Sequence, residues 1–223
     1  MSRPSPLLLA PALLLLACAP GIRAARHDTP LPPPARDSRA GARHPGAGPA
    51  LVPRGATPQA KGRAPRELAV RRALEIASSH VGRRRIAVDG VSYGDDCAAL
   101  VRAALAGAGR PLPSSARDAA GLAAHARAAG LLRTGAPRAG DLVFLADRPD
   151  GSPAHVGIVE TVSDDGTVLV LHRAARGVAR LRANAAQPWK ARGEGGKWLN
   201  DVLVVGGSRV PAGRLVVGYA SLL

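Results

Sequence analysis

The chain has 223 residues, 46% hydrophobic and 21% charged, which suits one folded domain plus a tail better than two full domains. Aromatic residues make up only 2%, so any core must be built from Ala, Val, Leu and Ile, and there are few rings on which nucleic-acid bases could stack. The formal net charge of +15 is almost entirely arginine, and it admits two readings: contact with a polyanion, or a compositional bias toward Arg, Ala, Gly and Pro. The arginines are scattered along the chain and not massed on one element, which agrees better with bias.

The N-terminus reads as an export signal over residues 1–18. Arg3 supplies the positive region, and Leu7 to Leu16, interrupted by Pro11, supplies an apolar run too short to span a bilayer. The run ends in Leu15-Leu16-Ala17-Cys18, which resembles a lipobox with Cys18 as the lipidated residue; ordinary cleavage near Ala17, Ala24 or Ala25 is the other reading. Residues 19–65 are rich in Pro, Gly, Ala and Arg and show no apolar period, so they are expected to be a disordered tether. The folded domain is placed at 66–223.

Leu68, Val70, Leu74, Ile76, Ala77 and Val81 recur at helical spacing, and Gly82 ends that helix. A loop through Asp89-Gly90 follows. A second helix starts at Asp95-Asp96-Cys97, capped by one of the aspartates, and stops at Gly107 to Gly109. A third is expected over Ser115 to Ala129, with Ser115 and Asp118 close to a capping box. Beyond Gly130 the chain turns to short β-branched runs, DLVFLA, HVGIVETV, TVLVLHR, GVARLRA, VLVV and RLVVGYA. Asp164-Asp165-Gly166 is a hairpin turn between the second and third of these. Helices first and antiparallel strands after argue an α+β domain, one helical layer on one small sheet. The Trp189 to Trp198 segment reads as a surface excursion whose indoles pack on the sheet, or as a loop bordering a cleft.

With Cys18 inside the leader, the folded part holds one cysteine, Cys97, at a helix start. Unpaired N–H groups and the helix dipole stabilise a thiolate there, while the neighbouring carboxylates oppose it, so the thiol needs a cationic partner. His155 opens a strand and His172 ends the next one, so across a hairpin His172 could orient His155 and favour its imidazolium. Spacing alone leaves two other readings open: Cys97 as a small buried hydrophobe, and Cys97, His155 and His172 as zinc ligands.

The series GDDCAALVRAALAGAG, PRAGDLVFL, HVGIVETV and VLVLHRAARGV resembles the NlpC-type family of papain-like cell-wall peptidases, to which CHAP amidases with the same Cys-then-His order are related. Family members show D-C-S-G-hydrophobic, P-G-D-L-hydrophobic-F and H-V-G-hydrophobic segments in this order, and the resemblance runs from about Leu68 to Ala183. It implies a papain-like α+β fold with Cys97 as nucleophile, His155 as general base and then acid, and His172 as the residue orienting His155. It further implies a structural Asp96, an oxyanion donor in the N–H of Cys97, and a supporting Asp141 that is not catalytic. The sequence departs from the pattern in Ala98-Ala99, where the family has Ser-Gly, and in its only upstream tyrosine, Tyr93, which stands four residues before Cys97 and takes the oxyanion-supporting role if any residue does.

The chemistry implied is hydrolysis of amide bonds in peptidoglycan stem peptides with no metal or cofactor. It would take place in the cell envelope, in a periplasmic protein or an outer-membrane lipoprotein anchored through Cys18. Peptidoglycan peptides are the expected partner, nucleic acid is not, and a monomer is expected. The competing classes are a papain-like acyltransferase, a non-catalytic wall-binding module and an arginine-rich polyanion binder.

Overall fold

The computed structural model describes residues 23–24 and 58–222. Cys18, the export signal and most of the expected tether lie outside the described residues. Two parts of the 19–65 segment are nevertheless ordered into elements. β1 (Arg23–Ala24) pairs antiparallel with a strand near the C-terminus, and α1 (Pro58–Ser79) starts eight residues ahead of the expected domain boundary. The early start has a local reason: Gln59, Ala60, Lys61, Arg63 and Ala64 are good helix formers. Pro65 removes one ladder hydrogen bond, and the helix resumes on its buried face at Ala69, Ala73, Ile76 and Ala77.

After α1 the expected loop is a small hairpin, β2 (Ala87–Val88) against β3 (Val91–Ser92). Asp89 and Gly90 both have positive φ, the requirement of a two-residue turn that matches strand twist. α2 (Ala99–Gly107) buries Ala99, Leu100, Val101, Ala103, Ala104 and Leu105, and packs on α1. α3 (Ala119–Ala128) is shorter than expected. Asp118 is itself the N-cap, accepting from the N–H of Gly121 at 2.7 Å, so the capping-box reading of Ser115 is corrected.

The strands are β4 (Leu132–Arg133), β5 (Leu142–Ala146), β6 (Pro153–Val162), β7 (Val168–Ala174), β8 (Gly177–Ala183), β9 (Val202–Val205), β10 (Ser208–Pro211) and β11 (Val216–Ala220). Six of them form one antiparallel sheet in the order β4-β11-β5-β6-β7-β8. The Asp164-Asp165-Gly166 turn closes β6 onto β7, with the N–H of Ser163 on the carbonyl of Thr167 at 2.8 Å.

Alternation sorts the sheet residues onto two faces. Leu142, Phe144, Val156, Ile158, Leu171 and Val178 pack with the helices, while Val143, Leu145, Val159, Val168, Val170 and Leu181 form a second core. That second core is closed by Leu203 of β9, Val210 of β10, and Ala212 and Leu215 of a 3₁₀ turn before β11. The expectation of one helical layer on one sheet is therefore corrected: the sheet is covered on both faces. The covering is needed because β7 and β8 carry apolar residues on both sides, and an open face would leave Val170 and Leu181 in water.

Candidate active site

Cys97 lies in the turn just before α2, two residues ahead of its first residue, rather than within the first helical turn. The turn is built by Asp96. Its Oδ1 accepts the N–H of Ala98 at 2.9 Å, and its carbonyl accepts that of Ala99 at 3.2 Å. Its carboxylate takes both guanidinium nitrogens of Arg102, at 2.9 and 2.6 Å, and Arg102 also donates to the carbonyl of Tyr93 at 2.8 Å. One arginine on α2 thus pins the whole 93–96 segment by forked bonding. The charge of Asp96 is matched by Arg102. Tyr93 packs half-buried against the helix-side core and offers its carbonyl to Arg102.

On the other side of the turn, Asp95 pairs with Arg173 of β7 at 3.4 Å. Neither arginine was singled out by the sequence, because nothing in the spacing of Arg102 or Arg173 marks it among so many arginines.

The thiol reaches the sheet at the start of β6. Cys97 Sγ lies 3.7 Å from the carbonyl oxygen of Ala154, the oxygen of the peptide group that leads into His155. His155 and His172 are both buried, and His155 Nε2 stands 2.8 Å from His172 Nδ1, a hydrogen bond between rings set edge to face. The register explains the meeting. Gly157 is directly opposite His172, and His155, two residues back on the same strand, shares that face. Gly157 is required there: a Cβ would fall 2.4 Å from Val170 Cγ1 and 2.8 Å from the carbonyl oxygen of Leu171.

Burial pushes the His155 imidazole down to about 4, and burial, with His155 adding a smaller repulsion, pushes His172 down to about 3. The expectation that His172 favours an imidazolium at His155 is corrected: desolvation wins, and both rings are neutral at pH 7. His172 Nε2 is buried and meets no hydrogen-bonding group among the described residues.

Asp141 supports the fold, as expected. Buried at the start of β5, it accepts from the N–H of Arg138 at 2.6 Å, from Arg133 of β4 and from the Ser221 hydroxyl beyond β11. Among the described residues no group of three or more His, Cys, Asp or Glu side chains is arranged to hold a metal ion.

The Trp189 to Trp198 segment is a surface excursion, but not with both indoles packed as expected. Its indoles do not both pack on the sheet: Trp189 is 69% exposed. The segment sits at the β6–β7 turn, where Lys197 pairs with Asp165 at 2.8 Å. Trp189 lies against Arg214, in the 3₁₀ turn that leads into β11.

The thiol in the turn ahead of α2 thus lies beside the strand that carries a hydrogen-bonded pair of buried histidines, on an antiparallel α+β domain. Residues 87–174, from β2 to the end of β7 and including Cys97, His155 and His172, match the CHAP domain family. No curated protein sequence matches the chain. Two solved structures are similar to it: the crystal structure of Ly7917, at 21% identity and a TM-score of 0.42, and that of Ly7917 with the hydrolyzing product of MDP, at 20% and 0.41. Each alignment covers 68% of this chain, which spans about three fifths of theirs, 61% and 62%.

Proposed function

We propose that this protein is an exported cysteine hydrolase of the cell envelope that cleaves amide bonds in peptidoglycan stem peptides. The observation that carries the reading is the His155–His172 hydrogen bond of 2.8 Å beside the Cys97 turn, within the span that matches the CHAP domain. The resemblance to papain-like NlpC-type peptidases supports the same roles.

In the proposed cycle His155 accepts the thiol proton on Nδ1, since Nε2 is engaged with His172. The thiolate forms an S–C bond to the amide carbonyl, and the oxygen that becomes negative is met by the N–H of Cys97 in the turn ahead of α2. The C–N bond breaks as His155 returns its proton to the leaving amine. Water then supplies a proton to His155 and a hydroxyl to the acyl carbon, and the thiol is regenerated. His172 holds the ring of His155, and Asp96 and Tyr93 hold the turn that carries the thiol. No cofactor enters the cycle. Export through residues 1–18, with lipidation at Cys18 as the membrane anchor, belongs to the same proposal.

The test uses the full chain and its Cys97→Ala variant, each incubated with purified peptidoglycan and soluble muropeptides, with products read by mass spectrometry. New stem-peptide fragments from the unaltered chain alone are expected, and their masses identify the bond. Transfer of the acyl group to an added amine without hydrolysis would favour an acyltransferase. No fragment from either, with Cys97 slow toward a thiol reagent, would refute the catalytic reading.

A further inference from the structure

Both tryptophans of the chain fall between residues 184 and 201, C-terminal to the span that matches the CHAP domain. This segment is a rigid excursion. Arg192 and Trp198 form an antiparallel bridge, the N–H of Gly193 donates to the carbonyl of Lys197 at 2.8 Å, and Leu199 is buried beneath. Its base is clamped by two buried asparagines. Asn200 Oδ1 accepts the N–H groups of Asn184 and Gly213, both at 2.7 Å, and its amide nitrogen donates to the carbonyls of Gln187 and Lys190. Asn184 in turn bonds Asp165, Thr167 and Gln187.

This framework displays an indole to solvent. The guanidinium of Arg214 lies 3.6 Å over the centre of the Trp189 ring, fixing the ring's tilt and covering one face. At 69% exposure the other face is open. Lys190, next in the chain, is exposed, while Arg192 covers the Trp198 ring at 3.9 Å. A large aromatic left in water loses the gain of burial, and one held rigid by a cation and a satisfied polar scaffold is preorganised to meet something.

We propose that Trp189, with Arg214 and Lys190 at its rim, is a binding platform for the glycan strands of the wall, outside the span that matches the CHAP domain. A sugar ring presents a flat face of C–H bonds to the open indole and hydroxyl, acetamido and carboxylate groups to the flanking cations. The surroundings select this occupant. A protein partner or a lipid surface needs a contiguous apolar patch, whereas the exposed residues that follow Trp189 along the excursion include Lys190, Arg192, Glu194 and Lys197. The choice of glycan rests on the wall-hydrolase reading; the platform itself rests on geometry. It would hold the enzyme on the polymer while a stem peptide enters the site beside Cys97.

The test uses the full chain carrying Cys97→Ala and Trp198→Phe, which leaves Trp189 as the only indole. Soluble glycan strands stripped of stem peptides are titrated in, and in parallel free stem peptides and vesicles containing phosphatidylglycerol. Saturable quenching or a blue shift with the glycan alone is expected. Trp189→Ala in the Cys97→Ala chain should weaken glycan binding, measured by calorimetry, by about ten-fold or more, and Trp189→Phe less. Arg84→Ala, which removes an exposed charge elsewhere, should bind like the parent. Equal glycan binding by Trp189→Ala, equal losses in Trp189→Ala and Arg84→Ala, or a response to vesicles or peptides in place of glycan would overturn the platform. Because no cleavage is required, glycan binding that depends on Trp189 stands even if the hydrolysis test fails.

Discussion

At the scale of single residues, the His155–His172 pair decides how the site responds to pH. Both folded values, about 4 and about 3, lie below the 6.5 of an exposed imidazole. The unfolded chain therefore binds more protons than the folded one as pH falls below 6.5, and stability present above that pH is lost progressively, with the loss complete below about 3. The urea midpoint should hold steady above pH 7 and fall steadily below pH 6; a flat profile down to pH 4 would show that the rings are not sealed from water. The same burial keeps His155 unprotonated at pH values well below 6.5, so the acid limb of kcat/KM should lie near pH 4 and not near 6.5. His172 works through His155. Its removal in His172→Ala should lower kcat/KM about 100-fold, while His172→Asn, whose amide oxygen occupies nearly the place of Nδ1, should recover about ten-fold of that. Equal losses in the two variants would mean that packing, not the hydrogen bond, is what His172 supplies.

At the scale of elements, the site depends on the register of β6 against β7, and Gly157 is where that register is most exposed to change. Gly157→Ala drives a methyl into Val170 and the carbonyl of Leu171, so the two strands must separate. A loss of about 2 kcal/mol in unfolding free energy is expected, together with a fall in kcat/KM larger than the folded fraction explains, because His155 moves away from His172. The strands themselves were legible in the sequence, since DLVFLA, HVGIVETV, TVLVLHR and GVARLRA are apolar and β-branched over their whole lengths. The pairing of His155 with His172 was legible too, because the Asp164-Asp165-Gly166 turn fixes the hairpin. What the sequence could not show was the turn that holds Cys97. Asp96–Arg102 and Asp95–Arg173 join residues 6 and 78 apart, and no local pattern distinguishes those two arginines from the rest. The neutral state of the histidines was equally hidden, since depth of burial is a tertiary property.

At the scale of the whole molecule, the sheet is a partition between two cores, and the sequence showed only one of them. β9, β10 and the 3₁₀ turn after β10 are short and ordinary as sequence, so their role as a second cover emerges only when β7 and β8 are seen to be apolar on both sides. The cover is attached through Asn200, which joins the end of β8 at Asn184, the 3₁₀ turn at Gly213 and the tryptophan excursion at Gln187 and Lys190. Asn200→Ala leaves three backbone groups, the N–H of Asn184, the N–H of Gly213 and the carbonyl of Lys190, without their partner at once, and removal of one buried partner typically costs about 1–3 kcal/mol. A destabilisation of about 3–5 kcal/mol is therefore expected, read as a lower urea midpoint. The site should survive in whatever remains folded: Cys97 and its turn are held by α2 and β7, and His155 by β5 and β7, none of which Asn200 touches. Measured well below the new midpoint, kcat/KM per folded molecule should match the unaltered chain. A matching midpoint would mean that the cover is held by its apolar contacts alone, and a large loss of kcat/KM in the folded state would mean that the two cores are coupled through the sheet.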